Sequence, residues 1–259
     1  MRAMVSMYWM PELAWANDAW WDGLAKHWRA ASLADVPARS HEPDDLYGLW
    51  AAPDLFFAQT CGYPLTHELK GKVTLVATPC YSAPGCAGSN YCSHIIVRED
   101  SGITELAQLS GKIAAINSYD SQSGWNVLRH SLNPALKGAG TFPRVIETGG
   151  HRKSVAAVRE GRADVATIDC VTYARLGIVA PQEITGLKVL AETASAPSLP
   201  YITRKDIPAD DLRRLRAGLQ AAVQDPALAE ARAALMIRDI VVLPLEAYDR
   251  ILEIEGAAA

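Results

Sequence analysis

Asn117-Ser118-Tyr119-Asp120-Ser121-Gln122-Ser123-Gly124 lies between an apolar run and an amphipathic one. Before it, Lys112-Ile113-Ala114-Ala115-Ile116 reads as a short strand buried on both faces of a sheet. After it, Trp125, Leu128 and Leu132 recur at i, i+3 and i+7, one apolar face of a helix. The stretch is therefore a strand-to-helix turn with hydroxyl and amide side chains and a glycine at the helix start. The first amides of a helix lack partners, and the helix dipole favours negative charge there, so such a turn suits an anion. The plainer reading is an N-cap. Two serines flanking a glutamine exceed what one cap requires.

Working outward, short apolar runs alternate with helical patterns almost throughout. Strands are expected over 4–9, 54–58, 73–78, 93–98, 112–116, 145–147, 163–168, 187–191 and 201–203. Helices are expected over 13–31, 45–50, 103–109, from 123 to the proline at 134, 151–160, 171–176, 209–224, 226–235 and 245–254. Residues 32–45 read as a polar connection and 79–92 as a loop carrying three cysteines. Alternation of this kind predicts an α/β protein with mostly parallel sheets.

In open α/β sheets, ligands sit beyond the carboxyl ends of the strands. Polar residues of this sequence gather at those ends: Gln59 and Thr60, the 117–124 turn, Thr148 to His151, and Asp169. Ser121, Ser123 and the amides of Gln122 to Gly124 are donors for an oxyanion. His151 follows Gly149-Gly150 and adds a donor, or a positive charge near neutral pH. Asp169 after an apolar strand either binds a cation or amine, or caps the helix that starts at Val171. Tyr63 and Tyr91 suit a pocket wall or half-buried packing, and Tyr8 falls where the first strand is expected to end.

Composition narrows the class. The chain has 259 residues, 49% hydrophobic and 21% charged, with a net charge of −4. It has no basic run, which argues against nucleic acid and a polybasic membrane patch. No apolar stretch is long enough for a transmembrane helix. The N-terminal residues 1–11 read as a first strand, not a signal peptide. The five cysteines, Cys61, Cys80, Cys86, Cys92 and Cys170, include no C-x-x-C pair, and His94 alone does not make a metal site, so neither metal nor cofactor is expected. Cys80 with Cys86 or Cys92 is the one disulfide the spacing leaves open. No G-x-S-x-G, P-loop or dinucleotide fingerprint occurs, and no nucleophile is tied to a base, so the chain does not read as an enzyme.

Asp120-Ser121-Gln122-Ser123-Gly124-Trp125, Thr148-Gly149-Gly150-His151 with Ser154, Val155 and Val158, and Gly161-Arg162-Ala163-Asp164-Val165-Ala166 followed by Asp169 resemble, in order and spacing, the phosphate/phosphonate-binding proteins of ABC importers. The resemblance runs from the Pro53-Asp54 strand to about Thr203. It implies a type II periplasmic-binding-protein fold, with two α/β lobes and a ligand cleft between them that closes by hinge motion. The first lobe would be 1–95 plus 200–259 and the second 96–199, with hinge strands near 93–98 and 199–203. By the same resemblance, Ser121, Ser123 and His151 hold the phosphonate oxygens, with Gln122 where a second hydroxyl is common. Asp169 matches an acidic residue that holds a ligand amine, and Tyr63 and Tyr91 match first-lobe tyrosines that close the site. The cysteine loop at 80–92 departs from the pattern. Tyr8, Trp9 and Trp125 add aromatic surface, which suits a ligand with a flat or apolar part.

The expected function is the substrate-binding component of an ABC-type importer, a monomer that captures a small anionic ligand such as a phosphonate or phosphate ester and partners an ABC permease. The alternatives are a cytosolic enzyme of the menaquinone-pathway kind on the same fold, with His151 or Asp169 in acid–base work, and a soluble sensor domain. The expected location is the periplasm or membrane surface if an export signal was removed, and the cytoplasm if the sequence as given is complete.

Overall fold

The computed structural model describes residues 1–40, 44–136 and 142–258, so part of the 32–45 connection lies outside it. These residues form two compact units. One takes Met1–Ser82, Ala87–Ser89 and Pro197–Ala247; the other takes Ala83–Cys86, Asn90–Ala196 and the segment from Tyr248 onward.

The first unit is built on a five-stranded sheet ordered Arg2–Met4, Leu55–Gln59, Tyr201–Arg204, Val73–Tyr81, Ile237–Val241. Trp28 anchors its helical layer. Its ring meets Phe56 at 5.3 Å and Phe57 at 4.9 Å, and its indole N–H donates to the Leu215 carbonyl at 2.9 Å. A buried tryptophan of this kind contributes about 3–5 kcal/mol when compared with alanine. The aromatic stripe of Ala14–Ala30 is core on one side only: Trp20, Trp21 and Trp28 are buried, while Trp15 faces solvent.

The second unit holds a five-stranded sheet ordered Leu187–Glu192, Ser93–Arg98, Val165–Asp169, Ile113–Ile116, Arg144–Glu147. Its core joins Ile95 and Val97 to Ile116, Leu128, Leu132 and Val165, with Trp125 packed against it. Asp164 of the Gly161-to-Asp164 motif explains its own place: its carboxylate accepts from the Ile113 amide at 2.8 Å and so ties two neighbouring strands together.

The α/β class holds, but the sheets are mixed, not mostly parallel. In the second sheet four strands share a direction and Ser93–Arg98 opposes them; in the first, Tyr201–Arg204 and Ile237–Val241 oppose the other three. A helical crossover makes its two strands parallel. Ser93–Arg98 and Tyr201–Arg204 follow no such crossover, since each comes just after the chain passes from one unit to the other.

Other elements shift. The first strand stops at Met4 because the Val5 and Met7 amides bond to Ser40 Oγ and Gln59 Oε1 instead of a strand neighbour. The helix expected over 103–109 shrinks to the turn Leu106–Leu109, since Ser101 Oγ takes the Ile103 amide and Gln108 Oε1 takes those of Thr104 and Glu105. The helix Val127–Leu136 continues past Pro134, where a proline in the last turn removes only one backbone bond. Two short strands, Cys86–Ala87 and Asn90–Tyr91, interrupt the 79–92 loop. The strand Ser93–Arg98 belongs wholly to the second unit, and so does the last helix, Asp249–Ala257. Asn126 Nδ2 donates to the Ile251 carbonyl at 3.3 Å, and Arg129 donates to that of Ala258 at 3.2 Å. Among the described residues no helix is long and apolar enough to cross a membrane.

Candidate functional site: the serine turn and His151

Ile113–Ile116, Arg144–Glu147 and Val165–Asp169 run parallel as neighbours, so the three loops after them emerge at one end of the second sheet. The Thr148 amide donates to the Ile116 carbonyl at 2.8 Å and the Gly149 amide to that of Asn117 at 2.9 Å, which locks the first two loops together. Thr148 Oγ1 adds a bond to Ile116 and lies 2.7 Å from Ser154 Oγ.

The turn itself is buried: Ser121, Gln122 and Ser123 are each at most 4% exposed. Ser121 is a true N-cap, its Oγ accepting from the Gly124 amide at 3.0 Å. The helix opens with a wide π-type turn, Gln122–Asn126, in which the Asn126 amide reaches back to the Ser121 carbonyl. Such turns occur at functional sites because they re-aim side chains. Gly124 is required by close approach: a Cβ there would stand 1.8 Å from Asn117 Oδ1. The two serine hydroxyls lie 3.5 Å apart, and Ser123 Oγ sits 2.8 Å from His151 Nε2.

His151 opens the helix His151–Arg159, and Gly149 before it has φ +79°, a left-handed conformation that glycine adopts without strain. Burial lowers the imidazole to about 4, against a smaller opposing effect of the Thr167 backbone. The ring is therefore neutral at pH 7, not the positive charge that its place in the sequence allowed. Around this pair, Asn117 Oδ1, Gln122 Nε2, Asn126 Oδ1 and Thr167 Oγ1 are buried without a hydrogen-bond partner. Buried polar atoms are rarely left so, and a group of them beside hydroxyls marks a site built to meet something polar.

Asp169 lies at the same sheet end, 1% exposed, and one carboxylate oxygen caps the next helix, accepting from Val171 at 2.8 Å and Thr172 at 3.3 Å. The capping reading of this residue is thus the one with geometry behind it. Asp169→Ala is expected to cost about 1–2 kcal/mol of stability, most of it recovered by Asp169→Asn, in urea melts.

Of the remaining candidates, all but Tyr91 belong to the first unit. Gln59 spends its side chain inside the first unit, accepting from Met7 N and donating to the Tyr81 hydroxyl and the Leu199 carbonyl. Thr60 is fully buried beside it, with its amide on the Pro200 carbonyl. Tyr8 is buried edge-on against Tyr81, leaving Trp9 exposed. Tyr63 stacks on His67 with centroids 3.9 Å apart. Tyr91, read as a first-lobe tyrosine, belongs to the second unit and is buried. The structure thus joins Ser121, Gln122, Ser123, Gly124 and His151 in one place, with Asp169 at the same sheet end. Sequence reasoning missed Asn126, which donates to Gln122 Oε1 at 2.6 Å; it sits one turn on from Gln122, at i+4. A second group of ligating side chains, Cys92, His94 and Glu192, has its donor atoms within 4.8 Å of one another.

Comparison with known proteins agrees with this architecture. A binding-protein component of an ABC phosphonate transporter from Pseudomonas aeruginosa superposes with a TM-score of 0.80 at 17% identity, covering 100% of this chain and 86% of that one. PhnD1 from Prochlorococcus marinus, in complex with methylphosphonate, gives 0.80 at 13% identity, covering 99% and 97%. XAC2383 from Xanthomonas citri, bound to ATP, gives 0.70 at 18% identity, covering 100% and 97%. No curated protein matches. The model of the family described as ABC transporter, phosphonate, periplasmic substrate-binding protein matches residues 52–244, three quarters of the chain. This chain belongs to that family of periplasmic substrate-binding proteins.

Proposed function

We propose that the serine turn of the second unit grips the oxyanion of a phosphonate or phosphate monoester, which the protein carries to an ABC permease as a monomer. The family is one of transport proteins, not enzymes, so the Ser123–His151 pair is read as a binding device. The observation that carries the reading is the chain of buried Ser121 and Ser123 and half-buried His151 at a helix start, with hydroxyls 3.5 Å apart and the imidazole 2.8 Å from the second.

The chemistry follows from the geometry. An oxyanion placed at Ser121 and Ser123 accepts from both hydroxyls and from the first amides of the helix, where the dipole adds to the attraction. It also stabilises the imidazolium form of His151. Both ring nitrogens are then donors, Nε2 donates to Ser123 Oγ, and the Ser123 proton is released toward the ligand. Binding should therefore take up a proton.

Isothermal calorimetry with methylphosphonate, an aminoalkylphosphonate, a phosphate monoester, inorganic phosphate and a dicarboxylate tests this. Phosphonate or monoester should bind most tightly, and at pH 6 the heat should vary with the buffer's ionisation enthalpy. A dicarboxylate that binds more tightly than every phosphorus oxyanion refutes the ligand class.

A further inference from the structure

Absence of a C-x-x-C pair argues against a metal site when the ligands lie on a turn, but here they lie on strands. Residues i and i+2 of an extended chain project to the same face. Cys92 and His94, at the start of Ser93–Arg98, are so spaced. Glu192 is the direct cross-strand partner of His94, and Asp169 that of Ser93. The next residue, Cys170, donates its amide to the Cys92 carbonyl at 3.2 Å, which brings its thiol against that of Cys92. The strands thus bring one imidazole, one carboxylate and one thiol within 4.8 Å of one another, with a second thiol against the first. Cys86 adds a third thiol, 3.5 Å from Cys170 Sγ.

A separate observation points to a ligand. His94 is 7% exposed, and apart from the Cys92 thiol its buried ring nitrogens have no hydrogen-bond partner. Glu192 Oε1 is the nearest carboxylate oxygen, at 3.6 Å from Nε2, beyond hydrogen-bond range. Burying an imidazole with a nitrogen left unsatisfied is costly. The Tyr173 ring covers it edge-on at 5.5 Å. Gly85 closes the opposite side with φ +93°; a Cβ there would stand 2.8 Å from Cys92 Sγ and 3.2 Å from His94 Nε2. The backbone passes so close to these donors that no larger residue fits.

We propose that Cys92, His94 and Glu192 bind a zinc-class divalent cation, with the fourth position left to water or a further ligand. Zinc takes such mixed sulfur, nitrogen and oxygen sets, and a tetrahedron with its usual bond lengths places donor atoms about 3.4–3.8 Å apart. The 3.6 Å between His94 and Glu192 falls in that range. Thiols and imidazole argue against calcium or magnesium, which prefer oxygen. A disulfide among Cys86, Cys92 and Cys170 is the competing outcome, but it would leave the His94 nitrogens unsatisfied and Glu192 without a role.

The test uses full-length protein without a histidine tag, purified without chelator or reductant. Elemental analysis and native mass spectrometry should find about one zinc per chain. Cobalt(II) added to the metal-stripped protein should give the near-ultraviolet absorption of a thiolate complex. Cys92→Ser and His94→Ala should abolish stoichiometric binding. Glu192→Gln, at a surface position where folding is not at stake, should weaken zinc in competition with a chromophoric chelator. Protein with neither metal nor cobalt absorption, a mass two hydrogens short from a disulfide among these cysteines, or metal held equally by all variants overturns the proposal. The anion site is read by phosphonate titration, so failure of one assignment leaves the other standing.

Discussion

Replacing Ser121 and Ser123 together by alanine lowers phosphonate affinity by about a hundredfold or more. A hydrogen bond to a charged group is worth about 1.5–3 kcal/mol, so two lost bonds remove about 3–6 kcal/mol, and every 1.4 kcal/mol is a factor of ten. The cost in stability is smaller and has separate causes. Ser121 caps the Gly124 amide, and losing a cap costs about 1 kcal/mol. Ser123 loses its contacts with His151 and with the Ser121 hydroxyl. Circular dichroism should therefore show an intact fold with a slightly lower melting point, while calorimetry shows the affinity largely gone. Unchanged affinity in the double variant places the anion elsewhere.

Acidification between pH 6.5 and about 4 should destabilise the empty second unit by about 3 kcal/mol through His151 alone. The direction follows from its cause. Burial holds the folded imidazole near 4, below its value in the unfolded chain, so in this window the unfolded state binds the extra proton. Stability from this group is complete above pH 6.5 and lost as pH falls. Hydrogen exchange of Ile113–Ile116 and Val165–Asp169 reads the second unit by itself. His151→Gln, which keeps a hydrogen-bonding side chain, should flatten the pH profile. Saturating phosphonate should shrink the loss, since the anion favours the imidazolium and raises the folded value toward that of the unfolded chain. A profile unchanged by His151→Gln refutes the assignment.

Some of this was plain in the sequence. The strand over 93–98, the helix over 209–224 and, within a residue, the short helix Leu46–Trp50 appear where the sequence pattern puts them. The proximity of the serine turn and His151 was legible because both fall just after strands expected in one sheet. The strand Ile237–Val241 was not, for a physical reason. It lies at a sheet edge, paired only with Val73–Tyr81, and a register shift between Ile237 and Asp239 breaks the alternation that betrays a strand. Gln59 stood out because it is polar at a strand end, and its side chain bonds to Met7, Tyr81 and Leu199 within its own unit. Cys92, His94 and Glu192 were illegible as a group because strand pairing, not sequence spacing, gathers residues a hundred positions apart.

The helix Asp249–Ala257 has a consequence for how the molecule is made. It leans on the helix of the serine turn, and Asn126 bonds both to Gln122 within the turn and to the Ile251 carbonyl. During synthesis the first unit has all its strands once Ile237–Val241 has emerged, but the second then still lacks this support. A domain closed by sequence-distant contacts folds late. The anion-gripping turn is thus among the last parts to mature, and a nascent chain stalled before residue 248 carries the serines without the scaffold that aims them.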